Sequence, residues 1–120
     1  MHHRRLERWL LPGGHVEAED REIWDAARRE VIEETGVVLV PHGLPPLAGL
    51  DVHGIPGNGR EPYHLHHDIL FAFQAAREAL RLSAESRALV WCSPAEFDRY
   101  LMPANVRRAY SRMRELFSSP

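Results

Sequence analysis

The chain has 120 residues, 44% of them apolar, enough for one hydrophobic core and so for a single domain over residues 1–120. Its formal charge of -2 offers none of the basic excess that drives binding to phosphate backbones, so no nucleic-acid partner is expected. All 15 basic residues are arginines, which excludes Schiff-base chemistry and a P-loop lysine.

Cys92 is the only cysteine, so an internal disulfide and a multi-cysteine zinc site are excluded, and a reducing, cytoplasmic setting fits. The basic start MHHRRLER leads into only WLL before Pro12-Gly13-Gly14, too short for a signal-peptide core. No segment nears the roughly 20 apolar residues of a membrane span. A protein that does not engage a membrane is expected.

In chain order, Pro12-Gly13-Gly14 predicts a turn and Asp20 an N-cap, from which a helix runs to a stop at Gly36. Ile23, Ala27 and Val31, with Trp24 beside them, form its apolar stripe. VVLV at 37–40 reads as a strand, LAGLDVH at 47–53 as a second, and GIPGNGREP at 54–62 as a loop. HLHHDILFAFQA at 64–75 and ALVW at 88–91 are further strands. Ser93-Pro94-Ala95-Glu96 has the capping-box pattern and predicts a short helix to about Tyr100. A last helix begins at Pro103, with Val106, Ala109, Tyr110, Met113 and Phe117 on one face and Arg107, Arg108, Arg112 and Arg114 mostly elsewhere. Helices and strands in this order imply a layered α/β domain.

The first helix carries Glu30, Glu33 and Glu34 within about a 100° arc beside its apolar stripe. Like charges at three- and four-residue spacing cost a few tenths of a kcal/mol per pair. Either the helix faces water, balanced by Arg28 and Arg29, or the charge has a use. Clustered carboxylates beside a glycine turn suit a hard divalent cation, magnesium or manganese, which takes oxygen ligands and keeps waters for phosphates to replace.

The whole stretch PGGHVEAEDREIWDAARREVIEETGV, from Pro12 to Val37, resembles the Nudix box, G-x5-E-x7-R-E-U-x-E-E-x-G-U with U aliphatic. Arg29, Glu30, Val31, Glu33, Glu34, Gly36 and Val37 fill its second half, and Gly14 opens it. The first glutamate is displaced: eight residues before Arg29 stands Arg21, and six after Gly14 stands Asp20, so the turn is one residue longer than the pattern. Asp20 or Glu22 stands in for it, or the position is dispensable.

The resemblance implies an α/β/α sandwich with a mixed β-sheet and a magnesium-dependent hydrolase of nucleoside diphosphate-linked, pyrophosphate-containing substrates. It places metal on Glu30, Glu33 and Glu34. Arg29 orients a glutamate through a bidentate pair, and the general base is Glu34 or Glu85. Gly13 and Gly14 let backbone approach metal or phosphate. The alternative from another class is a catalytically silent Nudix-like module that binds a ligand without cleaving it.

The stretch DVHGIPGNGREPYHLHHD is similar to one branch of the same family. Its alternating His64, His66 and Asp68 share a strand face and, with His53, are assigned to a substrate pocket; the competing assignment for the triplet is a transition-metal site. Leu65, Ile69, Phe71 and Phe73 point the other way, toward the core. Trp9 and Tyr63 are either core or stacking residues. Cys92 is expected to be buried beside Trp91 and inert.

MHHRRLER is similar to the tail of the family's second strand, which predicts that about two N-terminal strands are lacking. A sheet without them exposes unpaired backbone groups. A marginal fold, or completion by a second copy in a homodimer, is the expectation.

Overall fold

The computed structural model describes residues 1–41 and 43–118. They form two compact units, Met1–Pro45 with Phe73–Met102, and Pro46–Ala72 with Pro103–Pro120.

The first unit begins with a miniature hairpin, where a single strand tail was expected. β1 (His2–His3) pairs antiparallel with β2 (Arg8–Trp9), and β5 (Ser86–Ala88) pairs with the other edge of β1, giving the order β2-β1-β5. The polar run between β1 and β2 makes its own turn. Glu7 takes a left-handed φ of 53°, its N–H donates to the His3 carbonyl at 2.9 Å, and the Leu6 N–H donates to His3 Nδ1 at 3.1 Å. Trp9 packs edge-on between His2 and Tyr100, so it is a structural aromatic. β5 lies two residues before the expected ALVW start. Trp91 is exposed, and its indole N–H donates to the Glu78 carbonyl at 2.8 Å, which holds that residue off the sheet.

α1 spans Ile23–Thr35. Its N-cap is Glu22, whose N–H donates to Asp25 Oδ2 at 3.1 Å. Asp20, the expected cap, instead accepts the Glu17 N–H at 2.7 Å. Gly36 ends the helix as expected, at φ 66° with its N–H on the Ile32 carbonyl, a conformation that costs a residue with a Cβ about 1–2 kcal/mol. The buried side is rotated from the predicted stripe: Ala26, Glu34 and Thr35 are buried while Ile23 is exposed.

The expected strand at 37–40 is reduced to one bridge between Leu39 and Ala75. The Val40 N–H donates to the Gln74 carbonyl and the Ala76 N–H to Val38, but Pro41 has no N–H with which to continue a ladder. The helix expected from Pro94 to Tyr100 is likewise only a 3-10 turn, Pro94–Glu96, capped as predicted by Ser93, whose hydroxyl and N–H both donate to Glu96 Oε1.

The second unit is a long hairpin under a helix. β3 (Leu47–Ile55) pairs antiparallel with β4 (His64–Phe71), and α2 spans Ala104–Ser118. Between the strands, Asn58 Oδ1 accepts the N–H groups of Arg60 and Glu61 and closes the turn. Small residues let α2 approach β3: Ala48, Ala72 and Ala109 are buried together with Leu70 and Met113 against them, and a Cβ on Gly49 would lie 3.4 Å from that of Ala109. Phe117, expected on the packed face of α2, is exposed.

The register sorts the hairpin into two faces. Asp51 opposes Asp68, His53 opposes His66 and Ile55 opposes His64, so these share one side. Leu50 opposite Ile69 and Gly54 opposite Leu65 occupy the other. Leu65 and Ile69 were expected in the core, yet both are exposed. The half-buried side is the one with the polar residues, because α2 packs through Leu70 and Ala72 at the end of that same side. Phe73 falls in the first unit, 5.7 Å under the Arg28 guanidinium.

All strand pairs among the described residues are antiparallel and lie in two separate sheets, where one mixed sheet was expected. No helix among them is long and apolar enough to cross a membrane.

Candidate active site

In the first unit, α1 and the Pro12–Asp20 loop bring a pair of carboxylates against a glycine turn. The Gly13 N–H donates to Glu34 Oε2 at 3.0 Å. Glu34 is only 7% exposed and one helical turn from Glu30, close enough for each carboxyl group to perturb the other. The adjacent glycines act differently. A Cβ on Gly14 would fall 2.6 Å from the Glu30 carboxyl carbon and Oε1, whereas a Cβ on Gly13 would meet nothing within 4 Å. Gly14 therefore leaves the space in which the Glu30 carboxylate sits, and Gly13 contributes an amide.

Two carboxylates this close, partly out of water, resist ionising together. Burial is the main cause that pushes Glu34 up to about 7; the Gly13 amide opposes it, and the charges of Glu30 and Glu85 reinforce it. Burial also raises Glu30, against the pull of the Arg29 guanidinium. Both carboxyl groups are thus raised, Glu34 the further of the two. Glu33 adds charge at Glu30 from an exposed position. Among the described residues Glu30, Glu33 and Glu34 do not close into one compact set of ligand atoms.

Arg29 does not make the expected bidentate pair with a glutamate. Its Nη1 meets Glu17 Oε2 at 2.8 Å and Asp20 Oδ2 at 3.4 Å, while Nη2 donates to the His15 carbonyl at 3.1 Å and meets Glu30 Oε1 at 3.5 Å. Its buried Nε finds no acceptor. The side chain staples the loop to the helix and holds Glu30 at the margin. Asp20, the second carboxylate on that staple, has its side chain well covered. Glu17 and the His15 carbonyl carry no signal in the sequence, because a loop's contacts follow no periodicity.

Glu85, exposed on the approach to β5, reaches the pair through its charge. The family model described as a NUDIX domain matches residues 1–116. The chain belongs to the Nudix family. Nudix domains hydrolyse pyrophosphate-containing compounds and generally use divalent metals. No match is found among curated proteins. Gly13, Asp20 and the Nudix-box residues Gly14, Arg29, Glu30, Glu33 and Glu34 lie in one unit with Glu85, while His53, His64, His66 and Asp68 lie in the other.

Within that second unit the four form a continuous polar row. His53 and His66 rings meet edge-on at 5.3 Å, His64 and His66 at 6.2 Å, and His53 Nδ1 lies 3.4 Å from Asp68 Oδ2. Asp51 joins them and was missed, although the alternation that groups His64, His66 and Asp68 would have paired Asp51 with His53 on β3. Tyr63 lies over Gly54, on the hairpin's other side. Cys92 is half-buried rather than buried, and desolvation followed by the Glu96 charge pushes its thiol up.

Proposed function

We propose that this Nudix domain is a magnesium-dependent hydrolase that cleaves a phosphoanhydride bond in a nucleoside diphosphate-linked substrate. The observation that carries the reading is the Glu30–Glu34 pair pressed against the Gly13-Gly14 turn. Two oxygen donors that must share either a proton or a cation fit a hard divalent ion. The room that Gly14 leaves is filled by the Glu30 carboxylate itself, so the donors are held in place by the backbone.

Glu30 and Glu34 would hold the cation, with Glu33 closing on it from the next position of the helix. Held there, magnesium would supply charge to offset that developing on the phosphoryl oxygens. The protein's own groups do the positioning. The Gly13 amide fixes one oxygen of Glu34, and loss of the Glu34 proton frees the second for ligation. Arg29 holds the His15–Asp20 loop against the helix. Glu34 and Glu85 are the two carboxylates assigned to proton removal from the attacking water. Family membership implies an α/β/α sandwich, and manganese is an alternative metal.

The test is turnover of nucleoside triphosphates, nucleotide sugars, dinucleoside polyphosphates and ADP-ribose with magnesium, comparing the protein with Glu34→Gln. Loss of about two or more orders of magnitude in kcat/KM is expected. Unchanged turnover in the variant would refute the role of Glu34.

A further inference from the structure

The hairpin of the second unit holds a donor set that hydrolysis at the Nudix box does not use. One ligand atom from each of Asp51, His53 and Asp68 lies within 4.8 Å of the others. We infer that these three residues bind a first-row transition-metal cation, zinc above all, in a site that shares no ligand with the Glu30–Glu34 pair.

The register supplies the first reason. Asp51 and Asp68 are direct cross-strand partners, and like charges so placed destabilise a ladder unless something lies between them. A cation converts that repulsion into attraction. The spacing supplies the second. Zinc bonds of about 2.0–2.2 Å put the donors of a tetrahedral site roughly 3.3–3.6 Å apart. His53 Nδ1 and Asp68 Oδ2 already stand at 3.4 Å, and a ligand oxygen of Asp51 lies within 4.8 Å of both residues' ligand atoms.

The donor types supply the third. Magnesium takes oxygen and rarely an imidazole, whereas one imidazole with two carboxylates suits zinc, cobalt or manganese. All three residues stand on paired strands, so binding orders no loop and the ligands are pre-placed. His66, directly across from His53, is the neighbouring imidazole from which a fourth donor can come; otherwise water completes the shell.

Zinc or cobalt chloride alone, titrated into the full chain by calorimetry and followed by the visible spectrum of bound cobalt, tests the site. Binding should weaken by at least about tenfold in His53→Ala and in Asp68→Asn. It should persist in the Glu30→Gln/Glu34→Gln double variant and in a large excess of magnesium. Circular dichroism checks that each variant folds, and the isosteric Asp51→Asn provides a third arm should His53→Ala not. Zinc held equally well by the wild type and all folded hairpin variants would overturn the inference, as would zinc lost with Glu30 and Glu34. Hydrolysis is scored separately, so failure of either reading leaves the other standing.

Discussion

Replacing Glu34 with glutamine should make the metal-free protein more stable at neutral pH while removing its response to magnesium. The fold raises the Glu34 carboxyl from 4.5 to about 7, so it favours the protonated form. Ionisation therefore costs the folded state nothing below about pH 4.5, progressively more between there and 7, and the full amount above. At about 1.4 kcal/mol per pH unit, that rise corresponds to at most about 3.5 kcal/mol, and water entry and relaxation around a half-screened pair reduce it to roughly 1–2 kcal/mol. Glutamine keeps an oxygen for the Gly13 amide and an N–H for Glu30 without the charge. In EDTA at pH 8, Glu34→Gln should melt about 4–8 °C above the wild type; at pH 4.5 the two should coincide. Magnesium should raise the wild-type Tm, because it binds the folded carboxylates, and leave the variant nearly unmoved. Thermal melts over pH 4.5–8.5, with and without magnesium, decide it. A variant no more stable than the wild type at pH 8 in EDTA would refute the argument.

The glycine pair should separate cleanly. Gly14→Ala drives a Cβ against the far end of the Glu30 side chain, which can swing aside, so the Tm should change little while kcat/KM falls by about 100-fold from a displaced ligand; Gly13→Ala should leave both nearly unchanged. Arg29→Lys replaces a fork that reaches four partners by a point charge and leaves the well-covered Asp20 under-satisfied, so denaturant melts should show a loss of about 2 kcal/mol. Gly36→Ala meets both a left-handed φ and the Arg81 Cβ at 2.6 Å, and the same melts should show a loss of at least about 1–2 kcal/mol.

Several features of this Nudix domain were legible because they rest on local rules. The stop at Gly36, the Ser93 cap, the start of the last helix after Pro103 and the β3–β4 strands follow from backbone chemistry and alternation. The Glu30–Glu34 contact follows from helical spacing. What the sequence hid depends on partners distant along the chain. Nothing in the 37–40 run shows that its one bridge is to Ala75, and nothing in Arg29 shows that Glu17 and Asp20 of the loop join Glu30 of its own helix as partners. The hairpin misled for a different reason. Alternation shows that two faces exist, but which face is covered depends on where α2 docks, and it docks at the end of the polar one.

That choice leaves an oily sheet face toward water, with Leu50, Val52, Leu65 and Ile69 each at least 40% exposed. Such a surface governs handling of the protein. Solubility should fall on warming and on addition of ammonium sulfate, since both strengthen the drive to withdraw apolar area from solvent. A lysine at position 50 or a glutamate at position 69 should raise the attainable concentration at modest cost to folding, because what is given up is chiefly the cross-strand pairing of Leu50 with Ile69.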